Sequence, residues 1–95
     1  MDRAASIALL EAHHVFPSDH VFRVIVAADE AHVAAVLASV AAFRGVPDVR
    51  DRVVEVPSAA GRWRSLRITL TCATAADVVD LYAHVGTLPQ VVKYL

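Results

Sequence analysis

The chain has 95 residues, a formal net charge of −1 and a hydrophobic content of 57%. That length supports one domain, and that hydrophobic content excludes disorder as the main state. A near-neutral balance argues against a dedicated nucleic-acid binder, which is usually basic, and no window of about 18 residues is free of charges, so no membrane-spanning helix is expected.

The hydrophobic excess is mostly small, with 18 Ala and 17 Val. Met1-Asp2-Arg3 opens with mixed charge and no long uncharged stretch follows, so a secretory leader is not expected. Cys72 stands alone, which precludes an intrachain disulfide and fits a reducing, cytoplasmic setting. It ends an alternating apolar run and reads as a small core residue.

Residues 1–16 read as an N-terminal arm in which 4–12 can form a short helix, marginal without a docking surface. Residues 20–28 read as a strand, with Phe22, Val24 and Val26 on one face and Arg23 and Ile25 on the other. Asp29 supplies an N-cap, and Val33, Val36, Leu37 and Val40 form one apolar stripe on a helix that stops at Gly45. Residues 49–56 read as a second strand whose charges suit a sheet edge. A turn over 57–61 leads into the clearest strand, 62–72, where Leu66, Ile68, Leu70 and Cys72 alternate with Ser65, Arg67, Thr69 and Thr71. Thr74 and Asp77 resemble a capping box, Val78, Leu81, Tyr82 and Val85 repeat the helical stripe, Gly86 closes it, and 90–95 form a last strand.

The order β-α-β-β-α-β over 17–95 predicts an α+β fold: a ferredoxin-like two-layer sandwich, with a four-stranded antiparallel sheet and two helices on one face. Right-handed crossovers put the first and third strands in the centre. The open sheet face, with Arg23, Ile25, Trp63, Ser65, Arg67, Thr69 and Thr71, is where a partner would sit.

Charge is uneven. Residues 44–67 hold six arginines (44, 50, 52, 62, 64, 67) against Asp48, Asp51 and Glu55, a local +3, whereas 1–43 carry a local −3. The expected contact surface comprises Arg23, Ile25, Ser58, Gly61, Arg62, Trp63, Arg64 and Arg67. Arg62, Arg64 and Arg67 would meet an acidic protein partner and Trp63 would anchor it. The modest core makes a homodimer through Ile25 and Trp63 attractive. No catalytic, cofactor or metal residue is assigned. His13, His14, His20, His32 and His84 include no pair at helical i, i+4 spacing, and Ser58, Ser65 and Cys72 show no identifiable base and acid.

Specific residues resemble a known family. Leu9-Leu10-Glu11, Phe16-Pro17 and Phe22-Arg23-Val24 begin the likeness. It is strongest from Pro57-Ser58 through Gly61, Trp63, Ser65, Ile68-Thr69, Thr71, Val78, Leu81-Tyr82 and Gly86 to Val92 and Leu95. The chain resembles the YbeD-like group of small bacterial proteins (domain of unknown function 493), whose ferredoxin-like fold is similar to that of ACT regulatory domains. Ala12-His13-His14-Val15 intervenes between the first two motifs. The resemblance implies a cytosolic, non-enzymatic regulatory or binding module.

Two alternatives stay open. An ACT-like metabolite sensor would bind at the junction Ala27-Ala28-Asp29-Glu30-Ala31-His32, which lacks a glycine for close backbone approach and carries two carboxylates. Weak RNA binding would use Gly61-Arg62-Trp63-Arg64-Ser65-Leu66, but the first strand offers Arg23 and Ile25 rather than a stacking aromatic.

Overall fold

Two ten-residue strands at the centre of one sheet organise the molecule. The computed structural model describes residues 2–94. Its elements are α1 (Arg3–His13), β1 (Ser18–Ala27), α2 (Glu30–Arg44), a 3-10 turn (Arg50–Arg52), β2 (Val53–Pro57), β3 (Trp63–Cys72), α3 (Ala75–Val85) and β4 (Val91–Tyr94). The class is α+β, with a four-stranded antiparallel sheet in the order β2-β3-β1-β4.

The two most apolar segments take the inner positions because only inner strands are covered along both edges. β1 and β3 pair over their whole length, and alternation turns Phe22, Val24 and Val26 with Leu66, Ile68 and Leu70 to one side. There they meet Val33, Val36, Leu37 and Val40 of α2 and Val78, Leu81 and Val85 of α3 in a single core. Cys72 is buried in the same core, and burial raises its thiol pKa.

The helix ends follow their local chemistry. The Asp29 carboxylate accepts from the Ala31 amide at 2.8 Å, and Gly45 ends α2 in the left-handed conformation at φ 70°. Both halves of the Thr74–Asp77 capping box are present. Gly86 works differently: its φ is −63°, but a Cβ there would stand 2.7 Å from the Tyr94 hydroxyl. Position 86 is therefore small because the ring of Tyr94 lies over it.

Three expectations need correction. The helices number three among the described residues, because the arm is helical over Arg3–His13. The Asp2 side chain caps it at Ala5, Leu10 packs against the core, and an Arg3–Asp80 ion pair at 2.8 Å ties it to α3. Second, the strand expected over 49–56 is regular only over Val53–Pro57. Val49 is 1% exposed, the Asp48 side chain accepts from the Arg50 amide at 3.0 Å, and the Arg52 amide donates to the Val49 carbonyl at 2.9 Å. Anchoring Val49 in the core coils the next three residues before the strand can begin. Third, β1 starts at Ser18, two residues early. The last strand is described over Val91–Tyr94, and Leu95 lies outside the described residues.

Leu81 is fully buried, so Leu81→Ala should cost about 2–5 kcal/mol, a large part of the roughly 5–15 kcal/mol that holds such a domain. Thr74→Ala should cost about 1 kcal/mol through the lost cap; urea unfolding checks both. His20 gives a pH signature. Its ring stacks on Phe16 at 5.4 Å and lies 4.8 Å from His14. Burial first, then the charge of His14, holds its pKa below the ordinary 6.5, opposed by Asp19. Folding thus favours the neutral ring. The stabilisation is complete above pH 6.5 and declines as pH falls toward the folded-state pKa, where protonation no longer distinguishes the two states. Unfolding at pH 7.5 and 5.5 (roughly bracketing the histidine range) should show this loss, and His20→Phe should reduce it while keeping the stack.

Candidate functional site

The same alternation that fills the core sends Arg23, Ile25, Trp63, Ser65 and Arg67 to the opposite sheet face. Register then sets their neighbours. Ile25 stands opposite Ser65, Arg23 opposite Arg67, and Ala27 opposite Trp63. On the outer side of β3, Val54 lies opposite Arg67 and Val56 opposite Ser65. On the outer side of β1, Lys93 lies opposite Ile25.

The result is an apolar surface with cations set into it. Trp63 is 39% exposed, Val21 48% and Val54 60%. Ile25, Val56, Pro57, Ser58, Trp63 and Ser65 line a shallow groove of about 320 Å³. No helix covers it: the described helices bury their stripes in the core or, for α1, lie beside Val78, Val79 and Tyr82 of α3.

The hairpin between β2 and β3 is rigidly closed. The Trp63 amide donates to Ser58 Oγ at 3.1 Å, and the Ser58 amide donates to the Trp63 carbonyl at 2.9 Å. The Gly61 amide donates to the Ser58 carbonyl at 2.9 Å, and Gly61 has φ 70°, where a side chain would be strained. Ser58 and Gly61 thus hold Trp63 in place. The Arg62 side chain is exposed on this loop, while its carbonyl accepts from the Ala28 amide at 3.1 Å and ties the hairpin to the end of β1.

Arg64 does not join this surface. It stands opposite Val26, a core residue, and its guanidinium pairs with Glu30 at the start of α2 and, at 3.3 Å, with Glu55 of β2. It ties helix to sheet. Parity carried the signal: Arg64 lies two residues from Leu66 and therefore shares its face. Arg23 and Arg67 face each other on the open face, Lys93 stands beside Ile25, and none of the three forms an ion pair among the described residues. Asp19, farther along the face, is engaged by Thr71 at 2.5 Å. Sequence reasoning missed Val54, Val56 and Lys93, which the register of β2 on β3 and of β4 on β1 places on this face; Pro57, at the start of the turn, also lines the groove although register sets it opposite Arg64.

Other chemistries find little here. At the β1–α2 junction, the Asp29 side chain occupies the Ala31 amide and Glu30 pairs with Arg64, so the chain's own carboxylates fill the helix start. Trp63 is the aromatic that the described strands place on the open face; Tyr94 stands opposite Val24 on the core side. Among the described residues, no three His, Cys, Asp or Glu side chains gather as metal ligands would. No described helix is long and apolar enough to cross a membrane.

A family model described as a protein of unknown function (DUF493) matches residues 11–95. Comparison with curated proteins finds no match. The matched span contains all four strands, α2, α3 and the groove, and leaves most of α1 outside. The chain therefore belongs to the DUF493 family of proteins of unknown function, the YbeD-like group that its motifs resemble.

Proposed function

We propose that this is a small cytoplasmic, non-enzymatic regulatory or adaptor domain that acts by binding a protein through its open sheet face. In this reading the fold is a ferredoxin-like βαββαβ sandwich in which α2 and α3 share one face and α1 is an addition. The observation that carries it is the exposed Trp63, held by a closed hairpin beside Ile25 and Val56. Large apolar side chains gathered on a solvent face mark contact surfaces, and a fixed aromatic is the usual anchor.

A homodimer through Ile25 and Trp63 is the competing use of the same face. Arg23 and Arg67, without an ion pair among the described residues, weigh against a two-fold axis that passes through them, because it would set like charges over one another. An ACT-like sensing role is weighed down by the carboxylates of Asp29 and Glu30, which would repel an anionic ligand at the junction.

Affinity capture from cell lysate tests the reading, with wild type beside Trp63→Ala. The variant should unfold in urea within about 1 kcal/mol of wild type, as exposed substitutions do. It should lose at least about 2 kcal/mol of binding, roughly thirtyfold, as anchors do. Loss of folding would instead assign Trp63 to the core, and unchanged capture would remove the face from the function.

A further inference from the structure

Arg23 and Arg67 face each other directly across the central strand pair. Opposed side chains on an antiparallel pair have Cβ atoms about 5 Å apart, and like charges there repel. Natural sheets usually avoid or neutralise such a pair. Here both side chains are exposed, and neither has a carboxylate partner among the described residues. Asp19, on the same face, is four residues from Arg23 along β1, about 13 Å away, and is taken by Thr71.

The groove begins one step along. Ile25 and Ser65 are each two residues from the arginine of their own strand, so groove and cation pair lie about 7 Å apart. The guanidinium fork suits a carboxylate held in two parallel hydrogen bonds, and Trp63 with Ile25 and Val56 suits a large apolar side chain.

We propose that the open sheet face binds an acidic protein segment that sets one large apolar side chain in the Ile25–Val56–Trp63 groove and a carboxylate between Arg23 and Arg67. This rests on the protein-contact reading above and adds the partner's chemistry. The spacing fixes a pattern: anchor and acid stand two positions apart in an extended segment, or one turn apart on a helix. The cation pair replaces the Arg62–Arg64–Arg67 set expected from sequence, since Arg64 is held by Glu30 and Glu55.

The test is selection from a phage-displayed library of random dodecapeptides on the full chain, counter-selected on Arg23→Gln/Arg67→Gln. Enriched peptides should pair an aromatic or large aliphatic residue with Asp or Glu at one of those spacings. In titrations with purified peptide, changing that acid to its amide should weaken binding at least tenfold, and Arg67→Gln should abolish the difference. Arg67→Gln should also melt no lower than wild type, because it relieves a repulsion, whereas a structural arginine would lower the midpoint; this single variant serves if the double one does not fold. Failure to enrich such peptides, binding indifferent to Arg67→Gln, or a lower melting point would overturn the proposal. So would equal or tighter binding of a fluorescein-labelled uridine dodecamer, which assigns the cations to nucleic acid. A dimer in sedimentation that Trp63→Ala dissolves would also overturn it, by assigning the face to a second copy. A lysate partner lost in Trp63→Ala but retained in Arg67→Gln would leave the protein-contact reading standing and remove only the acidic ligand.

Discussion

Ten consecutive pairs join β1 to β3, from Ser18 opposite Cys72 to Ala27 opposite Trp63. Because side chains alternate across a strand, that register assigns every residue of both strands to a face in one act. A slip of one position would carry Phe22, Val24 and Val26 into water and Arg23 into the interior. The apolar stripes of α2 and α3 would then have nothing to cover. Hydrophobic burial against the helices therefore fixes the pairing, and the pairing in turn fixes which residues the other face displays.

The two faces are finished differently. On the core side, polar groups near the edge are tied down: Arg64 bridges Glu30 and Glu55, and the Arg44 guanidinium donates to the Thr71 carbonyl at 2.5 Å. The Ser39 hydroxyl and the His84 ring, 2.9 Å apart, bind α2 to α3. On the open side, Arg23 and Arg67 have no such ties among the described residues, while the hairpin beneath Trp63 is closed by three hydrogen bonds between Ser58 and Gly61 or Trp63. A side chain held this way has little conformational entropy left to lose in any contact it makes. α1 belongs to neither face: it has no fully buried residue and leans on α3 through Leu10 and the Arg3–Asp80 pair.

Much of this was legible because local chemistry and tertiary packing agree. Asp29, Gly45 and the Thr74–Asp77 pair mark helix ends by hydrogen bonds that the sequence itself encodes, and the two-residue period of 66–72 needed no partner to be read. What failed depended on contacts distant in sequence. Nothing local distinguishes Val49 as a core residue from Val49 as the start of an edge strand, and that choice decides where β2 begins. The docking of α1 depended on α3. The orientation of Arg64 follows from parity with Leu66, whereas local charge density groups it with Arg62 and Arg67 regardless of face. Val54, Val56 and Lys93 entered the site only once the pairings of β2 and β4 were known.

The aromatic residues divide between the two faces, and this gives the protein separate optical reporters. The Tyr82 ring lies tilted 4.8 Å from that of Phe22 and 6.2 Å from that of Tyr94, a short run of rings from the core to the final strand. The single tryptophan stands on the far side of the sheet, beside the groove. Indole emission therefore reports the surroundings of the groove, while near-ultraviolet tyrosine dichroism reports the integrity of the interior. A change confined to the open face and loss of the core become distinguishable in one unlabelled sample.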